Sequence, residues 1–153
     1  MASIGPLSPA EESLWRALMR IVKALPRHLD SDLIRGSGIT ASEYTAIMHL
    51  SEAPNHELRM NDLANATGLS ASRMSRIVDD LRVRALVTKE RSTTDARGNV
   101  ARLTPEGMAK LRAAWPVHLE STQTRFFSRM DATSVEIVAR ALSAVADELD
   151  KDP

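Results

Sequence analysis

The chain has no cysteine. Disulfides, a thiol redox switch and thiolate-held zinc or iron–sulfur centres are therefore excluded. Aromatic residues make up only 3% of its 153 positions, so Leu, Val, Ile, Ala and the seven Met must fill any core. No apolar run approaches the roughly 18 residues of a membrane span. The opening MASIGPLSPAEES has no basic stretch followed by an apolar one, so it does not read as a signal peptide. A cytoplasmic location is the expectation. Also missing are a G-x-S-x-G nucleophile turn, a Gly-rich phosphate loop and an H-x-x-E-H pattern among His28, His49, His56 and His118. Nothing marks a Ser/His/Asp set as a triad. The expectation is a protein that is not an enzyme, with no cofactor and no metal.

What is present suits one globular domain: 43% hydrophobic and 26% charged residues. A net charge of zero, taken alone, argues against nucleic acid. Its distribution argues the other way. Residues 1–53 carry a net −1, residues 57–104 a net +3 and residues 105–153 a net −2. Positive charge is concentrated in the middle third, which is the electrostatic footprint of a nucleic-acid reader.

That middle third has the strongest pattern. Asn61 or Asp62 starts a short helix that buries Leu63 and Ala64. Thr67-Gly68-Leu69 is a turn, and Ser70 caps a second helix. In it Met74, Ile77, Val78 and Leu81 recur at helical spacing and face inward. Ser72, Arg73, Ser75, Arg76 and Asp79 lie on the opposite face. Two strand-like runs follow, Leu86 to Arg91 and Val100 to Leu103, separated by the polar turn Ser92 to Gly98. Helix, turn, helix and hairpin make a winged helix-turn-helix.

The flanks read as helices. Ser8, Pro9 and Glu11 form a capping box with Pro at the first helical position. Leu14, Leu18, Ile21 and Leu25 make a heptad-like stripe up to Pro26, which is expected to end or kink the helix. A short segment over 27–35 precedes a break at Gly36-Ser37-Gly38. Thr40 and Glu43 form a second capping box, with Ile39 and Tyr44 as its hydrophobic staple. That helix stops before Pro54, and Glu52 to Leu58 reads as a polar loop. Thr104-Pro105 restarts helix, with Met108, Leu111 and Trp115 on one side and a kink expected at Pro116. A last helix is capped between Asp131 and Ser134. Its Val135, Val138, Leu142, Val145 and Leu149 form a second heptad seam.

The expected fold class is mainly α with a small β-wing: a single domain over 1–153. Residues 39–104 form the winged helix-turn-helix lobe, and residues 8–35 and 105–150 form dimerisation helices. The two seams can also pack within one subunit. A homodimer is favoured because a two-fold axis gives a DNA reader both affinity and address.

On this reading Arg73 and Arg76 reach guanine edges in a major groove. Ser70, Ser72 and Ser75 suit phosphates or base edges. In the wing, Lys89, Arg91, Arg97 and Arg102 supply charge; Arg97 enters a minor groove and Asp95 braces it. The plainer alternatives are a solvated Arg73 and Arg76, with Arg76 paired to Asp79 or Asp80, and an ordinary polar hairpin.

RMNDLANATGLSASRMSRIVDDLRVRALV, followed by DARGNVARLTPEG, resembles the MarR family of regulators. The D-x-R-G run at Asp95, Arg97 and Gly98, leading to Leu103-Thr104 and Gly107, carries the likeness furthest. HLDSDLIRGSGITASEY and MHLSEAP look like an actinobacterial branch. The resemblance implies a dimeric transcriptional repressor or activator on a palindromic duplex operator, released by a small-molecule effector. It assigns Ser70 to Arg76 to the major groove and Arg97 to the minor groove. Two departures stand out: Ala85 where the family has Gly, and Ala96 where the wing commonly has a second basic residue. Trp15, Tyr44, Met48, His49 and Trp115 are the candidates for an effector pocket; each also reads as ordinary core. Competing functions are a winged-helix protein-interaction module without DNA binding, and a small-molecule-binding α-domain.

Overall fold

A computed structural model describes residues 5–91, 99–149 and 151. The chain divides into two compact units, residues 1–118 and residues 119–153.

The first unit opens with α1 (Pro9–Ser37), a single helix of 29 residues. Its start is the expected capping box: the Ser8 hydroxyl accepts from the Glu11 amide, and the Glu11 carboxylate accepts from the Ser8 amide at 2.7 Å. Hydrogen bonding to the Ser8 side chain first, and then to the Ser8 amide, holds the Glu11 carboxyl below its ordinary range. Pro26 neither ends nor interrupts α1, and residues 27–35 are not a separate segment. A proline removes the bond to the carbonyl four residues back, here Val22. Val22 and Pro26 are both exposed, so that carbonyl lies on the side served by water. Gly36 and Ser37 also stay helical. The helix ends at Gly38, whose φ of 70° lets its amide close back onto Leu33 and Ile34. Gly36 matters for packing instead. A Cβ there would stand 2.7 Å from a methyl of Val117, so its absence lets another helix approach.

The second helix, α2 (Ala41–Glu52), begins at the Thr40–Glu43 capping box. Ile39 and Tyr44 are both buried, as a staple across that box requires. The segment expected as a loop after α2 holds a short 3-10 turn, Pro54–His56, and a strand, β1 (Glu57–Arg59). Then come α3 (Met60–Thr67), the left-handed Gly68 and α4 (Ala71–Val83). Two strands complete the lobe, β2 (Val87–Arg91) and β3 (Asn99–Leu103). The sheet is therefore three-stranded and antiparallel, in the order β1-β3-β2. Val87 stands opposite Leu103 and Arg91 opposite Asn99, while Leu58 stands opposite Ala101.

One apolar core joins these elements. Leu33, Ile47, Leu50, Leu63, Met74, Val78, Leu81, Val87 and Ala101 are all at most 1% exposed. Tyr44 is the one aromatic side chain among the buried core residues, as the scarcity of aromatics led one to expect. The next helix, α5 (Pro105–Arg125), packs Met108, Leu111, Ala114 and Val117 against this core. Trp115 lies off that face and is 50% exposed. Helix α5 passes through Pro116 without a break; Pro116 and Arg112, whose carbonyl loses its donor, are both exposed.

The second unit holds the end of α5, a 3-10 turn at Phe127–Arg129, and α6 (Ala132–Leu149). The Asp131 carboxylate caps α6, accepting from the Ser134 amide at 2.7 Å, and that bond holds its carboxyl below the ordinary range. No residue of α6 is buried: Ile137, Val138, Leu142, Val145 and Leu149 all stand exposed. Among the described residues, no helix is long and apolar enough to cross a membrane.

Candidate nucleic-acid interface

The α3–turn–α4 unit is built by local chemistry. Gly68, at φ 66°, ends α3 and turns the chain. Ser70 then takes an extended conformation, and its hydroxyl accepts from the Arg73 amide at 3.4 Å. Met74, Val78 and Leu81 fasten α4 to the core, so the other face must look outward. At 13 residues, α4 is about 20 Å long. A major groove is wide enough to admit such a helix.

Ser70, Ser72, Arg73 and Arg76 are exposed along that outward face. Arg76 forms no ion pair among the described residues, so the pairing with Asp79 or Asp80 is not seen. Arg73 reaches back to the hydroxyl of Ser42 on α2 at 3.4 Å. Ser75 is less free. It is half-buried and its hydroxyl accepts from Lys89 Nζ at 3.0 Å. The same ammonium lies 3.1 Å from Asp79 Oδ1. Lys89 thus joins the wing to the outward side of α4.

Of the wing cations, Arg91 is exposed at the end of β2. Arg102 is held across the sheet by Glu57 of β1 at 2.5 Å. Asp95, Ala96 and Arg97 lie outside the described residues.

The expected effector residues are only partly brought together. Tyr44 is buried and stacks on His118, ring centroids 4.6 Å apart; Trp115 stands 6.2 Å beyond His118. Burial, and secondarily the charge of Glu52, push the Tyr44 phenol above its ordinary value. Its hydroxyl has no hydrogen-bond partner among the described residues. Burial pushes the His118 imidazole below its ordinary value. Met48 and His49 are half-buried on α2, and Trp15 is exposed on α1. Among the described residues, no three His, Asp or Glu side chains are grouped to hold a metal ion.

Three features escaped the sequence reading. The first is β1, which anchors Arg102. The second is the seating of Lys89 on Ser75 and Asp79. The third is a contact between Arg84, just after α4, and Glu43 of α2 at 2.9 Å. A signal for the last existed: the capping box buries the Glu43 carboxylate, and its second oxygen then needs a donor.

The lobe defines a class, the winged helix-turn-helix. Within that class residues 37–98 match the family model described as MarR family. The transcriptional repressor MprA of Escherichia coli K12 is 25% identical over 147 residues, covering 94% of this chain and 83% of the repressor. Among solved structures, Sco3205, a MarR family transcriptional regulator from Streptomyces coelicolor in complex with DNA, is 29% identical with a TM-score of 0.89. That match covers 100% of this chain and 94% of Sco3205. AbsC, a MarR family transcriptional regulator from the same organism, is 29% identical with a TM-score of 0.86, over 97% of this chain and all of AbsC. The expected likeness to an actinobacterial branch is borne out by these Streptomyces neighbours.

Proposed function

We propose that this protein is a transcriptional regulator that reads duplex DNA as a homodimer, most simply a repressor released by a small-molecule effector. One observation carries the reading. Helix α4 turns its apolar side to the core and presents Ser72, Arg73 and Arg76 to solvent directly after the helix-turn-helix turn. The likeness to a regulator solved on DNA supports it, as does the named repressor among the relatives. No catalytic role is proposed.

The dimer is supported by apolar surface at both ends of the chain. Leu14 and Trp15 on α1 are 70% and 55% exposed, and Val138, Leu142, Val145 and Leu149 of the α6 seam are exposed. Side chains of that size at heptad spacing favour a partner helix over water. The paired lobes would then place two α4 helices about one helical turn, roughly 34–36 Å, apart on a palindromic site. The Tyr44–His118–Trp115 cluster, with Met48, His49 and Trp15, is the place proposed for the effector. The wing tip, with Arg97 in the minor groove and Asp95 bracing it, completes the proposed contact.

Footprinting on the DNA upstream of the gene tests this function. Two protected half-sites one turn apart are expected, lost on adding the effector. A protein that protects no sequence, or a monomer in sedimentation, would refute it.

A further inference from the structure

The end of α4 is tied to the junction of α1 and α2 by one side chain. Arg84 follows the last residue of α4 as its C-cap. One of its guanidinium nitrogens donates to Glu43 Oε1 at 2.9 Å. Another donates to the carbonyl of Gly38, the left-handed residue that ends α1, at 3.0 Å. The other oxygen of Glu43 accepts from the Thr40 amide at 2.7 Å, which is the start of α2. Three helix ends therefore meet on a single Arg–Glu pair, and Glu43 is only 8% exposed.

Resting on the DNA-binding function above, we propose that Arg84 is a positioning residue. It fixes the angle at which α4 is presented and touches no DNA. The geometry explains why the angle matters. Arg73 lies eleven residues before Arg84, about 16 Å along the helix. A tilt of about 5° at the Arg84 end moves Arg73 by about 1.4 Å, more than the 2.7–3.2 Å window of a hydrogen bond tolerates. A guanidinium bonded at once to a buried carboxylate and to the carbonyl that ends α1 resists such a tilt more than a single surface pair would. Met74, Val78 and Leu81 hold the middle of α4 to the core, and Arg73 and Lys89 hold its outward side; Arg84 is what ties its last turn to the α1–α2 junction.

The test uses a duplex selected from a random pool by the wild-type protein, and an unselected duplex of the same length. Arg84→Ala, Arg84→Lys and Glu43→Gln are titrated against both at several salt concentrations, with circular dichroism to confirm folding. Each variant is expected to bind the selected duplex about 10-fold more weakly and the unselected duplex within about 2-fold. Glu43→Gln discriminates most sharply. It removes a negative charge, so simple electrostatics predicts tighter binding where positioning predicts looser. Arg84→Lys keeps the charge but loses the fork, and it carries the test if Arg84→Ala does not fold. The salt slope should not change, because each lost phosphate contact would lower it by about 0.9. Arg84→Ala combined with Glu43→Gln should be no worse than either alone, as for one coupled unit.

Selected-duplex affinity kept within 2-fold would overturn the assignment. So would a slope lowered by about two per dimer, or a parallel fall on both duplexes. If the wild type selects no sequence, the DNA function itself fails and this inference with it. A wild type that selects and variants that still match it remove only the role of Arg84.

Discussion

The hydroxyl of Thr104 lies 2.8 Å from the carbonyl oxygen of Ala85 and 3.0 Å from that of Leu86. It also accepts from the Gly107 amide at 2.9 Å. One side chain at the start of α5 therefore holds the turn between α4 and β2, and in that turn Ala85 sits at φ 57°. The left-handed conformation costs an alanine about 1–2 kcal/mol. Glycine would adopt it freely but would lose more entropy on folding. The difference sets the first prediction. Ala85→Gly should stabilise the protein by up to about 1 kcal/mol, read as a higher denaturant midpoint at unchanged slope. A lower midpoint would show that Ala85 is not strained.

Gly107 is the opposite case. A Cβ there would stand 2.0 Å from the Leu86 carbonyl oxygen and 2.6 Å from Leu103. Backbone cannot yield as a flexible side chain can. Gly107→Ala should cost at least about 2 kcal/mol, by the overpacking mechanism. Chemical denaturation reads the loss; a change below about 0.5 kcal/mol would mean that the start of α5 does not pack against Leu86 and Leu103.

His118 gives a pH dependence. Burial against Tyr44 holds its imidazole below the ordinary 6.5. Between 6.5 and that lower value the unfolded chain binds more protons than the folded one. Stability from this group is thus fully present above about pH 6.5 and is lost as pH falls through the folded value. Melting temperature measured from pH 7.5 down to 5.5 should fall more steeply for the wild type than for His118→Phe. Parallel curves would contradict the assignment.

Arg76 is exposed and free of ion pairs among the described residues, whereas Arg73 is drawn towards Ser42. Arg76→Ala should therefore cost about 1–3 kcal/mol on the selected duplex and relax preference at one base position per half-site. Duplexes with single substitutions would show this. A loss equal across all sequences would instead make Arg76 a phosphate contact.

Local chemistry was legible in the sequence, and long-range pairing was not. The Ser8–Glu11 and Thr40–Glu43 boxes span three residues each, so their types and spacing suffice. Gly68 was readable for the same reason, whereas the break expected over Gly36-Ser37-Gly38 falls only at Gly38. Pro26 and Pro116 misled because the rule against proline assumes that the freed carbonyl has no other partner, and both lie on exposed helix faces. Strand β1 has only Glu57, Leu58 and Arg59, too few for a period; it is a strand because β3 offers it an edge. Arg84 and Glu43 are 41 positions apart, and only the folded chain brings them together. The outward face of α4 was found from the Met74–Leu81 stripe, since whatever faces away from a buried stripe faces solvent. Ser75 shows the limit of that argument, because Lys89 arrives from a separate element to claim it.

The proposed function stands or falls on whether α4 reads DNA sequence. Fluorescence anisotropy with the labelled upstream duplex, at salt concentrations from about 50 to 200 mM and with unselected duplex as competitor, tests it most directly. Tight binding that resists the competitor is expected, with log affinity falling linearly against log salt. Binding that the competitor abolishes at equal concentration, or that shows no salt slope, would contradict it.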